Sequence, residues 1–371
     1  MNILCATGIY PPEIGGPATF ARMIKKELPA RGHQVRVVTY ADARVSEEGV
    51  TSILRALPWG VRHTVYFFAV ARHAFWADTI IALDPTVAGF SAIWVARLFR
   101  KKFALRVGGD YAWEQGMQRF GVNVLLDDFL AKTWSLPVEL LRSVQKHVAF
   151  HARVVIVQSA YLASVVERWG IAKENIEIVP NAVSLPPLPE RHAARASLGF
   201  ADECVVVSVG RLVPWKGFAT LIEATRDFPM TLVVIGDGPD RKALEKQAEG
   251  HRNIQFTGAL SKDKLAQYLA AGDIFALNTG YEGFSHQIIE AMAAGLAVAT
   301  TESGGNKEVV KDGENALAVP LDDVAAWSAA LGRLAKDVTL RERLGKEARL
   351  TAAQYTSEKT LDAFEKILHS L

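Results

Sequence analysis

The sequence predicts an α/β protein built from two doubly wound parallel sheets, each with its own core. Three observations predict it. Short apolar runs alternate with stretches whose apolar residues recur at helical spacing, along nearly the whole chain. The alternation restarts at Cys204, in a run that reads like the one opening the chain at Asn2. Between the two halves, Pro180, Pro186, Pro187 and Pro189 gather after an apolar run, a composition typical of a domain boundary. The chain has 371 residues, 50% hydrophobic and 22% charged, which is enough for two globular cores.

The charge balance gives no reason to invoke nucleic acid, because the formal net charge is only +2. It is uneven, however. Residues 1–181 carry 21 Lys and Arg against 15 Asp and Glu, and the remainder carries 21 against 25. That asymmetry points the first half toward something anionic, or reflects scattered solvated charge. Cys5 and Cys204 each lie in a first apolar run and read as buried thiols, with no disulfide framework or zinc spacing. Their usage favours a reducing, cytoplasmic compartment. Met1-Asn2-Ile3-Leu4 leads directly into a strand, so no signal peptide is expected. The best membrane-span candidate, Thr86 to Phe99, is too short and contains Arg97, so any membrane contact is peripheral.

Taken in order, Asn2 to Ala6 is a strand and residues 8–17 a Gly/Pro loop containing Tyr10 and Gly16. Ala18 to Ala30 is a helix. Glycines ahead of a helix with proline at its start let backbone approach a ligand phosphate, although many structural turns look the same. Gln34 to Tyr40 is a strand, preceded by His33, which reads as part of the turn. Strand Ile53-Leu54, helix Arg62 to Phe75, strand Thr79 to Leu83, helix Thr86 to Leu98 and strand Phe103 to Val107 follow. Ligands of such sheets sit outside the carboxyl ends of the strands. Gly108-Gly109-Asp110-Tyr111-Ala112-Trp113-Glu114 falls at one, so Asp110 and Glu114 are candidate ligand contacts and Trp113 a candidate stacking face; an N-capping Asp in an ordinary loop is the alternative.

Residues 115–148 read as irregular and then helical. Phe120, Val122, Leu125, Leu126, Phe129 and Trp134 are either packed on their own domain or turned toward a membrane, and Arg100-Lys101-Lys102 is either solvated or near anionic headgroups. Strand Arg153 to Gln158, helix Ala160 to Trp169 and strand Ile176 to Val179 complete a domain at 1–182.

In the second domain, 183–356, strand Cys204 to Val209 ends in Gly210-Arg211, and Lys216-Gly217 opens helix Phe218 to Arg226. Arg211 and Lys216 thus flank a tight turn at a strand's carboxyl end, where a diphosphate needs cations. Thr231 to Ile235 runs into Gly236-Asp237-Gly238-Pro239, but Arg241 stands at the third glycine position, which argues against a nicotinamide or flavin site. Strand Asn253 to Thr257 leads to Gly258, and Asp273 to Asn278 leads to the densest motif. There Gly280 and Gly283 flank Glu282. Ser285 is placed to cap a helix in which Ile288, Ile289, Met292 and Ala293 recur at helical spacing, and Gly295 suits its left-handed end. Glu282 therefore precedes a helix and Glu290 lies inside it. Between them is a helix N-terminus, whose amides and partial positive charge suit a diphosphate. Acids for sugar hydroxyls around a seat for phosphate describe a nucleotide-sugar pocket. Strand Leu296 to Thr300, Gly304-Gly305, a strand at Ala316 to Val319 and helices at Asp322 to Lys336, Leu340 to Gln354 and 357–371 follow.

The spacing Glu282-x7-Glu290 within EGFSHQIIEAMAAG, with Gly304-Gly305 downstream, closely resembles the signature of the retaining glycosyltransferases of family 4. The Gly210-Arg211…Lys216-Gly217 turn is similar to the same family's. The resemblance implies the GT-B fold, two Rossmann-like domains facing a cleft, with 357–371 crossing back onto the first. It implies transfer of a sugar from a UDP-, GDP- or ADP-sugar to a glycan or lipid-linked acceptor, in envelope polysaccharide or glycolipid synthesis, with no cofactor or metal. Arg211, Lys216 and the amides of Ser285 to Ile288 would carry the leaving diphosphate, with Gly16, Gly283 and Phe284 nearby. Glu290 would hold the ribose, Glu282 the transferred sugar, and the backbone near Gly258 the base. Tyr10, Asp110, Trp113 and Glu114 would meet the acceptor, and the N-terminal domain would touch the inner membrane face. One departure stands out: many relatives have a histidine after the strand ending at Val107, where this chain has Gly108 and Gly109, so that role is absent or passes to Asp110. A nucleotide-sugar epimerase on the same scaffold and a non-catalytic nucleotide-sugar-binding protein are the alternatives.

Overall fold

The computed structural model describes residues 1–183 and 185–371. Ser184, in the expected proline linker, lies outside the described residues. The chain divides into two compact units, Met1–Asn181 with Ser357–Leu371, and Ala182–Thr356.

The first unit holds a seven-stranded parallel sheet: β1 (Asn2–Thr7), β2 (Gln34–Ala41), β3 (Val50–Leu54), β4 (Thr79–Ala82), β5 (Lys102–Arg106), β6 (Val154–Val157) and β7 (Ile176–Ile178), in the order β3-β2-β1-β4-β5-β6-β7. Its helices are α1 (Gly16–Glu27), α2 (Trp59–Ala74), α3 (Gly89–Leu98), α4 (Tyr111–Arg119), α5 (Leu126–Leu130), α6 (Leu136–Phe150) and α7 (Ala160–Arg168). The chain's last helix belongs here too. Its residues Leu361, Phe364, Ile367 and Leu368 share a core with Phe20 and Ile24 of α1 and Ile3 and Cys5 of β1. Phe364 meets the Phe20 ring edge-on at 5.2 Å, a favoured aromatic geometry.

The second unit holds a six-stranded parallel sheet in the order β10-β9-β8-β11-β12-β13. The strands are β8 (Cys204–Val209), β9 (Met230–Ile235), β10 (Ile254–Gly258), β11 (Ile274–Leu277), β12 (Ala297–Thr300) and β13 (Leu317–Ala318). Helices α8 (Arg191–Leu198), α9 (Phe218–Thr225), α10 (Arg241–Gln247), α11 (Lys262–Ala271), α12 (His286–Ala294), α13 (Val324–Lys336) and α14 (Val338–Ala352) cover it, and α15 (Ser357–Ser370) is the last helix of the first unit. Val205, Val207 and Val209 enter one core while Val206 enters the other. Burial on both faces is why β8 reads as an unbroken apolar run rather than an alternating one.

Three expectations need correction. The helix expected from Thr86 begins at Gly89, because the Asp84 carboxylate accepts from the amides of Thr86, Val87 and Ala88 and holds them in a turn. The stretch 115–148 is three helices' worth of packing, with Val122, Leu126 and Phe129 buried and Trp134 stacked on Phe129. It therefore belongs largely to its own core. Helices α8 and α11 have no counterpart in the sequence reading. Both cysteines are free, and burial raises both thiols, Cys204 to about 11.

Candidate functional site

In each sheet the strand order reverses next to the first strand, between β1 and β4 and between β8 and β11. Loops at such a point diverge and leave a crevice at the carboxyl ends of the strands. In the second unit, β8 delivers Arg211 and Lys216 there and β11 delivers Glu282.

The Lys216 turn is fixed by backbone. A short 3₁₀ helix, Pro214–Lys216, ends at Gly217 with φ 52°. A Cβ on Gly217 would lie 2.3 Å from the Asn278 carbonyl oxygen, so only glycine fits. Asn278, buried at the end of β11, donates to the Gly217 carbonyl and to Asp322, and accepts from the Asp322 amide and the Trp327 indole. The Trp215 carbonyl accepts from the Gly280 amide at 2.7 Å. Lys216 is thereby brought against Glu282, and the two form an ion pair. Arg211 follows β8 as an exposed residue of a loop whose Leu212 and Val213 are buried, held by a hydrogen bond from the Leu212 amide to the Asp237 carbonyl. Gly236 and Gly238 serve this packing: a Cβ on Gly236 would sit 1.9 Å from the Gly210 carbonyl oxygen.

Helix α12 has Ser285 at its N-cap, accepting from the Ile288 amide, and ends at Gly295 with φ 79°. The cap occupies the Ile288 amide, and the Ile288 side chain is buried. The Phe284 side chain packs against Tyr355 in the core, leaving only backbone to face a ligand. The Gly305 amide donates to the Glu282 carbonyl at 2.8 Å, which fixes the loop before the helix. Glu290, 2% exposed, forms an ion pair with Lys262, the first residue of α11. Burial raises the Glu290 carboxyl, and the Lys262 ammonium opposes that rise. Gly258, with φ 73°, closes β10 on the approach to Lys262. Sequence reading missed Lys262, although Ser261 before a run with Leu265 and Leu269 is a helix-start signal.

Two family descriptions match the chain almost end to end: "Glycosyl transferase 4-like domain" over residues 15–182 and "Glycosyl transferases group 1" over residues 190–351. The chain belongs to the group 1 glycosyltransferases. It is 35% identical over 175 residues to the lipopolysaccharide core biosynthesis glycosyltransferase LpsE of Rhizobium meliloti, covering 46% of this chain and 51% of that protein. The chain thus spans about half the length of that curated relative. It is 28% identical over 364 residues to the GDP-mannose-dependent alpha-(1-6)-phosphatidylinositol monomannoside mannosyltransferase of Mycolicibacterium smegmatis, covering 90% of this chain and 89% of that one. Among solved structures, Anabaena Alr3699/HepE in complex with UDP-glucose superimposes with a TM-score of 0.81 at 21% identity, covering 100% of both chains. The fold is GT-B.

In this group 1 glycosyltransferase three of the residues expected to meet an acceptor, Tyr10, Asp110 and Trp113, are buried. Trp113 is fully buried and its indole donates to the Val124 carbonyl, so it offers no stacking face. Asp110 is fully buried and caps α4, accepting from the Trp113 amide and the Trp169 indole; burial raises its carboxyl against those bonds. Its carboxylate thus serves as the N-cap of α4. Tyr10 is buried, with its hydroxyl on Glu47. Glu114, in the first turn of α4, is half-buried, and Gly16 opens α1 with Pro17 behind it. The fold also brings together His33, Glu365 and His369, whose ligand atoms lie within 4.8 Å of one another. Arg31 bridges Glu365 and Asp362 there, and the group reads as an ion-pair staple for α15.

Proposed function

We propose that this chain moves a sugar from a nucleoside-diphosphate sugar to a glycan or lipid-linked acceptor with retention at the anomeric carbon, in envelope polysaccharide or glycolipid synthesis. The observation that carries it is the pair of acids around the first turn of α12, Glu282 beside Lys216 and Glu290 beside Lys262. Lys216, Arg211 and the first-turn amides of α12 stabilise the diphosphate as it leaves, since donors fixed in advance favour developing charge. Glu290 accepts from the ribose hydroxyls and Glu282 from those of the transferred sugar. The bond from the anomeric carbon to the diphosphate oxygen breaks, and a bond to the acceptor oxygen forms on the same face. The acceptor proton goes to the departing phosphate, so no protein base is required at Asp110. The second unit, 183–356, binds the donor; the first, 1–182 with 357–371, binds the acceptor and touches an anionic membrane surface. The activities of the Mycolicibacterium and Rhizobium relatives support a nucleotide-sugar donor and an envelope acceptor.

The test is a thermal-shift panel of UDP-, GDP- and ADP-sugars, because a ligand of the native state raises the melting temperature by mass action. One nucleotide series should stabilise the chain, and product analysis with and without acceptor should show transfer only with acceptor. Isomerised donor without acceptor would instead indicate an epimerase.

A further inference from the structure

The last helix returns to the first unit and brings two side chains against a residue from near the start of the chain. Glu365 and His369 stand one turn apart on α15, and His33 is the residue before β2. His33 is buried, Glu365 is partly covered and His369 is 64% exposed. One oxygen of Glu365, Oε1, serves both rings: it lies 2.8 Å from His33 Nε2 and 4.0 Å from His369 Nε2. The second distance is too long for a hydrogen bond. An ion pair needs only one imidazole, yet two converge on the same oxygen.

Both sides of the group are fixed. Leu361, Phe364, Ile367 and Leu368 hold α15 in the core of the first unit. Gly32, with φ 83°, turns the chain ahead of His33, whose amide donates to the Leu28 carbonyl at 3.2 Å. Arg31 lies 3.1 Å from the other Glu365 oxygen, Oε2, and so aims Oε1 at the rings. Carboxylate ligands of metals are oriented by outer partners of this kind. Arg31 also pairs with Asp362, which offsets its charge.

The donor set selects the cation. Two imidazoles and a carboxylate suit zinc and its neighbours rather than calcium or magnesium, which take oxygen ligands. The three ligand atoms lie within 4.8 Å of one another. Zinc–ligand distances of about 2.0–2.1 Å in a tetrahedron put ligand atoms about 3.3 Å apart. His33 and Glu365 need little movement to meet that, and the exposed His369 ring supplies the rest by turning about its own bonds.

We propose that His33, Glu365 and His369 form a zinc site, with water as the fourth ligand, that clasps α15 to the start of β2. Zinc replaces the proton shared by His33 and Glu365 and engages the second ring as well, releasing that proton to solvent. The clasp joins residues 332 positions apart. It lies at the amino end of β2, whereas ligands of such sheets gather at the carboxyl ends, so its role is structural.

The test is equilibrium dialysis of the full, chelator-stripped chain against zinc chloride at neutral pH, paired with thermal melts. The expected result is one zinc per chain and a melting temperature that rises with zinc and not with magnesium. His369→Ala removes the exposed ligand and leaves the core intact. It should weaken zinc binding about 100-fold or more, since losing a group that only orients a ligand already costs about 10- to 100-fold. His369→Cys should restore binding, because thiolate is also a zinc ligand. His147→Ala is the control: His147 and His151, whose rings meet at 4.3 Å, are a rival imidazole pair, and its loss should change nothing. Without zinc, His369→Ala should melt with the stripped chain, which separates metal binding from misfolding. Less than one zinc per chain, binding indifferent to His369→Ala or lost with His147→Ala, or melts indifferent to zinc would leave an ion pair only and overturn the proposal.

Discussion

Glu290 and Lys262 form an ion pair between the middle of one helix and the first residue of another, 28 residues earlier in the chain. The acid is buried and the lysine is 43% exposed. A carboxylate in that position costs stability when ionised, because burial outweighs the ammonium and raises its pKa. The lysine can turn back to water; the acid cannot.

A pH dependence follows. A raised folded-state pKa means that ionised Glu290 opposes folding above that pKa, and the opposition is relieved as pH falls through it. If the ionised form is what accepts the ribose hydroxyls, donor binding weakens over the same fall, above the ordinary carboxylate range. Glu290→Gln should leave the melting temperature equal or higher. It should weaken donor binding about tenfold or more, the scale of one hydrogen bond to a charged group, and remove the acid limb of the binding profile. Calorimetric titration of donor between acid and neutral pH checks this, and an unchanged acid limb would remove Glu290 from the ribose site.

Lys216→Ala should act on the chemical step. Its ammonium pairs with Glu282, and on the proposed role removing one donor to developing charge costs about 100- to 1000-fold in kcat with a smaller change in KM. Steady-state kinetics on the chain and on Lys216→Arg decide it. A change confined to KM would make Lys216 a ground-state contact.

Asn278 is fully buried and holds the turn that carries that lysine. Its amide carries hydrogen bonds to Gly217, Asp322 and Trp327, all inside the second unit. Asn278→Ala should cost about 1–3 kcal/mol, the range for leaving buried partners unmatched, and should lower kcat along with Lys216→Ala rather than adding to it. A double-mutant cycle in kcat, with urea melts for stability, measures both. Full additivity would mean that the two act separately.

Gly236 and Gly250 make an internal control. Both have positive φ, but a Cβ on Gly236 would strike the Gly210 carbonyl while Gly250 has open space. Gly250→Ala should cost about 1 kcal/mol through backbone strain alone. Gly236→Ala should cost several times more and lose donor-induced stabilisation, because the Arg211 loop packs on that turn. Equal denaturant midpoints would refute the close approach.

Much of this protein is decided within short windows of its sequence. The alternation of strand and helix, the Ser285 cap, the Gly295 stop and the spacing of Glu282 and Glu290 depend on residues a few positions apart, where periodicity and capping operate. Even the sites where glycine is required could be suspected from Gly217 and Gly236 alone. What the tertiary structure decided is which side chains face inward and which distant ones meet. Trp113, Asp110 and Tyr10 stand at strand ends, where ligands gather, yet neighbouring helices cover them. Lys262 reaches Glu290 because β10 and β11 are parallel and end on the same carboxyl side of the sheet, where α11 and α12 begin. The outer stripes of α2, α3 and α6 look like core residues in the sequence, because apolar spacing does not say which face of a helix another element will cover. Pairings across tens of residues are set by packing, and packing is a property of the folded chain.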